Sequence, residues 1–294
     1  MMSTPQYPLT VLMAVHNGGR YLSIAIDSIL AQTYKTFHFL IVDDASNDET
    51  RPIIQSYEDP RIELVCLERN VGQTAALNVG LRRISSSWIA RMDADDYAAP
   101  ERFAQQMACL EKRTDVECLG TFGWLFREDP NQMDRVLEKP LEHGDILQTL
   151  WSGIPMIHGS LIVSRRAMVE TGLYDERYRY SADLDLYTRL LPRCRAENLP
   201  VPLLGIRRHQ EQGSLSKRCI DENVEIFSRM LHQTRTRKEH LRVRESLAFT
   251  YRTRATYWQS QNNRLEAIKD LGRSCLAAPE RMLNGFIGRS VTST

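Results

Sequence analysis

The sequence predicts an α/β fold: one Rossmann-like, mostly parallel sheet flanked by helices, followed by a helical C-terminal extension. Three observations carry this. Short apolar runs alternate with amphipathic stretches through the first hundred residues. A polar turn follows each run. From Ile220 to the end almost every segment has helical period.

The first run, Leu9 to Val15, is continuously apolar between Pro8 and His16-Asn17-Gly18-Gly19, as suits a strand buried on both faces of a parallel sheet. Tyr21 to Gln32 then places Leu22, Ile26, Ile29 and Leu30 on one helical stripe, and Phe37 to Val42 reads as a second buried strand. The order repeats with a helix near Glu49 to Tyr57, a strand at Ile62 to Leu67, a helix near Thr74 to Ile84 and a strand at Trp88 to Met92. Beyond Asp96 the alternation weakens. A helix fits Pro100 to Lys112, strands fit Glu117 to Phe126 and Gly159 to Val163, and an amphipathic helix fits Asp183 to Leu191. Leu247 to Pro279 resembles one tetratricopeptide-type hairpin, which must stack on a neighbour to bury its apolar face. That neighbour is either the main domain or a second chain, so self-association through these helices stays open. The expected division is residues 1–218, with halves at about 8–100 and 101–218, and a helical extension at 219–294.

With 294 residues, 42% hydrophobic composition and ordinary charge content, the chain can bury a sizeable core, which argues against disorder. Its net charge of +1 hides an asymmetry: residues 1–206 carry 21 Lys and Arg against 28 Asp and Glu, and residues 207–294 carry 17 against 9. A basic tail of this kind is either a solvated helical face or a contact for an anionic partner. No nucleic-acid partner is expected. The six cysteines are scattered without Cys-x-x-Cys or His partners at metal spacing, so they read as reduced thiols. No signal-peptide pattern and no apolar stretch of membrane-spanning length is visible, which points to a cytoplasmic location.

Ligands of such sheets bind at the carboxyl ends of the strands. There the sequence places His16-Asn17-Gly18-Gly19-Arg20, Asp43-Asp44-Ala45-Ser46-Asn47-Asp48, Glu68-Arg69-Asn70-Val71-Gly72 and Asp93-Ala94-Asp95-Asp96. Two aspartate clusters on one edge repel each other unless a cation or hydrogen-bond donors lie between them. Mg2+ and Mn2+ take one or two carboxylates plus phosphate oxygens and water, which an Asp-x-Asp pair offers a nucleotide diphosphate. Helix caps and Asx-turns use the same residue types, so either cluster alone is ambiguous. A calcium hand is excluded, because Ala98 and Ala104 stand where it needs Gly and Glu.

The ordered motifs LTVLMAVHNGGRYL, AQTYKTFHFLIVDDASNDET, ERNVGQTAALNVGL, WIARMDADDYAAPERF, IHGSLIVSRRAMVETGLYDE, RYRYSADLDLYTRLL and RRHQEQGSLSKR together resemble glycosyltransferases of family 2, which have the A-type fold. The match spans roughly residues 8 to 217. It implies inverting transfer of a sugar from a nucleotide diphosphate, most simply a UDP-sugar, to a hydroxyl of a glycan or lipid-linked acceptor. Mn2+ or Mg2+ is the implied cofactor. By the same resemblance Ala14, His16, Asn17 and Asp44 line the nucleotide pocket. Arg69 and Asn78 lie near the donor sugar, Asp95 and Asp93 hold metal, and Asp96 reaches ribose or sugar. His209 lies near the diphosphate or metal, His158 on the acceptor side. Asp183 is the general base, with Asp185 as fallback. Two departures stand out: His16 replaces a common aromatic residue, and Ala182 replaces the first of two acids.

Two other readings compete with this one. A sugar-phosphate nucleotidyltransferase shares the topology but normally carries a Gly-rich first loop with Arg and a nearby Lys, whereas the first Lys here is Lys35. A nucleotide-sugar-binding scaffold is suggested by Ala182. The resemblance implies glycan assembly on the cytosolic side of a membrane, with peripheral association at its inner face through the basic tail.

Overall fold

The computed structural model describes residues 8–209 and 216–278. They form two compact units, 8–147 with 154–209, and 148–153 with 216–278.

The first unit begins with β1 (Leu9–Val15), α1 (Gly19–Leu30), β2 (Phe37–Asp43), α2 (Thr50–Gln55), β3 (Ile62–Cys66), α3 (Gln73–Arg83) and β4 (Trp88–Arg91). Every residue of β1 and all but one of β2 are buried, as their uninterrupted apolar runs require. β1 pairs in parallel with β2, Leu9 opposite Phe37, and with β4, Leu9 opposite Trp88, while β2 pairs in parallel with β3. The order β3-β2-β1-β4 therefore brings four carboxyl ends to one edge. Helix α1 buries Leu22, Ile26 and Ile29 of the stripe its spacing predicts, together with Ala25, while Leu30 is only partly buried. Helix α3 lies so close to β1 that a Cβ on Gly80 would collide with the Leu12 side chain.

Past Asp96 come β5 (Tyr97–Ala98), α4 (Arg102–Lys112), β6 (Val116–Phe126), β7 (Arg135–Leu137), α5 (His143–Leu150), β8 (Ile162–Ser164), α6 (Arg165–Thr171), α7 (Ala182–Leu190) and β9 (Arg195–Arg207). The sheet continues β4-β8-β6-β9-β5, with β7 on β6. Here directions mix: β8 is antiparallel to β4 and β6, and β9 is parallel to β6. The strand expected at Gly159 to Val163 divides into a 3-10 turn, His158–Ser160, and β8. β9 has no counterpart in the sequence reading, because Pro200 and Pro202 interrupt its pattern. The structure accommodates them beside register shifts of the β6 pairing between Thr121 and Gly123.

The second unit contains α8 (Lys217–Leu231), α9 (Arg237–Ser260) and α10 (Arg264–Ala277). Helix α9 starts ten residues before Leu247, fixed by a capping box in which Thr236 accepts from Glu239 N–H and Glu239 accepts from Thr236 N–H. The α9–α10 hairpin has a neighbour within its own unit, α8, and Arg254 of α9 bridges Asp221 of α8 at 2.9 Å and Asp270 of α10 at 2.8 Å. Pro279, the expected end of the hairpin, lies outside the described residues. The six cysteines are free thiols, and no helix among the described residues is long and apolar enough to cross a membrane.

Candidate active site

The carboxyl ends of β1, β2 and β4 border a cleft of about 340 Å3. Ala14, Val15, His16, Asn17 and Gly18 line it from the end of β1, Arg20 and Tyr21 from α1, and Asp44 from just past β2. Asn70, Gln73, Asp93, Ala94, Asp95, Arg179, Tyr180 and His209 complete the wall. Of the expected residues the cleft gathers Ala14, His16, Asn17, Asp44, Asp93, Asp95 and His209.

At one end, Asp44 is buried and accepts hydrogen bonds from Val71 N–H at 2.7 Å and Gly72 N–H at 2.8 Å. This ties the loop after β3 to the end of β2, and Gly72 can meet it because its φ is +91°. Asn17, at φ +52°, receives Asn47 N–H on its side-chain oxygen and donates its own N–H to Ser46 Oγ. His16 Nδ1 lies 2.8 Å from the Asp44 carbonyl. A carbonyl only accepts, so Nδ1 carries the proton, and in the neutral ring Nε2 keeps a lone pair. Asp43 faces inward, paired with Arg51.

At the other end, Asp93 Oδ1 accepts from Arg91 at 2.5 Å and Gln73 at 3.2 Å. Burial is the largest single influence and works against its ionisation, but the Arg91 charge, His158 and the hydrogen bonds from Arg91 and Gln73 together hold Asp93 below the usual carboxylate range. Asp95 is pushed up by burial and by the Asp93 charge, with His209 opposing. His209 Nε2 stands 2.9 Å from Asp95 Oδ2, its ring lies 5.2 Å from the Tyr21 ring, and its Nδ1 is buried without a partner among the described residues. Among the described residues no group of three or more His, Cys, Asp or Glu side chains is placed to hold a metal ion.

Asp183 sits in the first turn of α7, outside the cleft lining, with Oδ1 accepting from Leu184 N–H at 2.8 Å. Burial raises its carboxyl to about 6, and the Asp93 charge pushes the same way. The fallback acid, Asp185, is fully buried and bound to Arg189 at 2.7 Å. His158 is half-buried, its Nε2 2.7 Å from the Tyr174 hydroxyl, and desolvation and the Arg91 charge lower it to about 3. It is therefore a neutral imidazole near neutral pH.

Besides Asp183, Asp185 and His158, three more expected residues do not line the cleft. Arg69 is exposed, and its neighbour Asn70 lines the wall. Asn78 is buried in α3, where its amide donates to Tyr174 O and Glu176 Oε1, both at 2.9 Å, and accepts from Tyr174 N–H. Asp96 is 5% exposed and accepts from Arg207 N–H at 3.1 Å; burial, Asp95 and Asp93 together raise it well above the usual range. The sequence reading missed Arg20, Tyr21, Asn70, Gln73, Arg179 and Tyr180. Tyr21 and Gln73 open helices after strand-end turns, a signal that was available in the sequence.

Residues 10–173 match the model of Glycosyl transferase family 2. A Bacillus subtilis (strain 168) protein bearing the glycosyltransferase name EpsE is 32% identical over 209 residues, 69% of this chain and 74% of its own. An uncharacterized glycosyltransferase of Haemophilus influenzae is 25% identical over 238 residues, 74% of each chain. Among solved structures, S. aureus TarS 1-349 in complex with UDP-GlcNAc superposes with a TM-score of 0.68 at 18% identity, covering 93% of this chain and 82% of that one. The mannosyltransferase PcManGT from Pyrobaculum calidifontis, in complex with GDP-Man and Mn2+, gives 0.62 at 18% identity, covering 95% and 84%. The chain spans 49% of a longer TarS chain. The family match sets aside the nucleotidyltransferase reading, and the chain belongs to glycosyltransferase family 2 and is a glycosyltransferase.

Proposed function

We propose that the chain moves a sugar from a nucleotide diphosphate, a UDP-sugar, to a hydroxyl of a glycan or lipid-linked acceptor, with inversion at the anomeric carbon and with Asp183 as general base. The observation that carries this reading is the state of Asp183, a carboxyl raised to about 6 with Oδ1 held by Leu184 N–H. A base is most effective with a pKa near the working pH, and Oδ2 is the oxygen left to take a proton. In the transfer, the acceptor oxygen bonds to the anomeric carbon, its proton passes to Asp183 Oδ2, and the bond to the diphosphate breaks with its electron pair leaving on the diphosphate.

The chemistry of the acidic end supports a divalent cation, although its side chains are not gathered into a ligand set: Asp95 resists ionising beside Asp93, and His209, 2.9 Å from Asp95, has a buried nitrogen without a partner among the described residues. Asp95, Asp93 and His209 would hold Mn2+ or Mg2+, which when bound neutralises the charge on the departing diphosphate. Asp44, His16, Asn17 and Ala14 form the nucleotide end. There Asp44 Oδ1 and Oδ2 each keep a further lone pair for a base N–H. The TarS complex with UDP-GlcNAc motivates the choice of uridine, and the PcManGT complex makes a GDP-sugar the competing donor.

The test is a panel of nucleotide sugars with and without Mn2+, read by thermal unfolding. A UDP-sugar should raise the melting temperature only with the metal, by several degrees at saturating ligand. Stabilisation by none of the panel, with or without metal, contradicts the reading.

A further inference from the structure

The last helix is more apolar on its outer side than on the side it packs. Toward its neighbours α10 buries Ala267, Asp270 and Ser274. The opposite side carries Leu265, Ile268, Leu271 and Leu276, exposed by 65, 66, 40 and 79%. At helical spacing these four fall within one stripe. Scattered exposed apolar residues are ordinary, but four in twelve residues on one side of one helix form a patch.

A second feature adjoins the stripe. Leu276 also lines a groove of about 330 Å3 that mixes Leu231 and Leu247 with the cationic side chains of Arg244 and Arg273, and His240. From Arg237 to Ala277 the chain carries nine Lys and Arg against four Asp and Glu. Those acids are largely engaged: Asp270 holds Arg254 and Arg273, Glu266 holds Lys269, and Glu239 closes the capping box. An apolar stripe running into a basic, partly apolar groove is complementary to a surface with anionic headgroups above acyl chains.

We propose that the outer face of α10, with the adjoining groove, is a docking surface for an anionic phospholipid membrane. Leu265, Ile268, Leu271 and Leu276 enter the headgroup boundary, while exposed Arg264 and the net basic charge of α9 and α10 meet the phosphates; Arg244 caps α10 through the Ala277 and Leu276 carbonyls, and Arg273 pairs with Asp270. Because no described helix can cross a membrane, the association lies on the surface and is reversible by salt. It is independent of the proposed donor, metal and base.

The experiment is cosedimentation of the whole chain with phosphatidylcholine vesicles, with and without phosphatidylglycerol, at low and high salt, alongside size-exclusion chromatography. Binding should require phosphatidylglycerol and fall with salt. The double variant L265E/I268E should weaken it about tenfold or more, since each glutamate removes an apolar group from the headgroup boundary and adds a charge that the phosphates repel. Leu276→Asp, at the most exposed position of the stripe, repeats the test where the double variant fails to fold. Equal binding to both vesicle types, unchanged binding by the folded variants, or a dimer that the same substitutions dissociate without any vesicle binding overturns the proposal.

Discussion

Asp95 Oδ2 lies 2.9 Å from His209 Nε2, joining the loop after β4 to the residues just past β9 across the edge of the sheet. These residues are 114 positions apart in sequence. The pair also explains a balance of charge: burial and Asp93 both oppose the Asp95 carboxylate, and His209 is the group that favours it.

Replacing Asp95 by Ala should abolish the Mn2+-dependent part of donor stabilisation and lower turnover about a hundredfold or more. His209→Ala should weaken metal-dependent donor affinity about tenfold, the range typical of losing a supporting group at a metal site. Calorimetric titration of donor with and without Mn2+ checks both. An Asp95→Ala protein with undiminished metal dependence would show that the cation is held elsewhere.

Asn78 is expected to matter to stability and not to the donor. Its amide clamps Tyr174 and Glu176 through three hydrogen bonds, so Asn78→Ala should cost about 2–4 kcal/mol in urea unfolding. Donor affinity should change by less than about threefold. A large loss of affinity at unchanged stability would return Asn78 to the donor site.

The contrast between Asn78 and Asp95 marks how far the sequence could be read. β1 and β2 were legible because a strand covered on both faces must be a continuous apolar run, and their turns because Gly72 and the aspartates have local reasons to be there. β9 was not legible: its pairing with β6 is set by partners about eighty residues away, which override the local effect of Pro200 and Pro202. Side-chain direction was harder still. Asn70 and Arg69 are neighbours, yet only Asn70 lines the cleft, and the Tyr21 ring meets the His209 ring at 5.2 Å, a contact between distant parts of the chain that no local pattern encodes.

Asp183→Asn should stabilise the fold at neutral pH. Burial lifts this carboxyl from an ordinary 3.8 to about 6, so above pH 6 the folded protein carries a charge that the unfolded chain bears more easily. Removing it should add about 1–3 kcal/mol at pH 8, an advantage that shrinks as pH falls through 6 and vanishes below about 4, where Asp183 is neutral in both states. Unfolding of both proteins across this pH range tests the sign, and an advantage that grows on acidification would contradict it.

The most direct measurement is turnover and donor affinity of Asp183→Asn, side by side, with the UDP-sugar and Mn2+ identified by the stabilisation panel. The asparagine keeps an oxygen for Leu184 N–H but cannot take the acceptor proton, so transfer should fall about a thousandfold or more while donor affinity changes by less than about threefold. Turnover within tenfold of the parent protein would show that Asp183 is not the base.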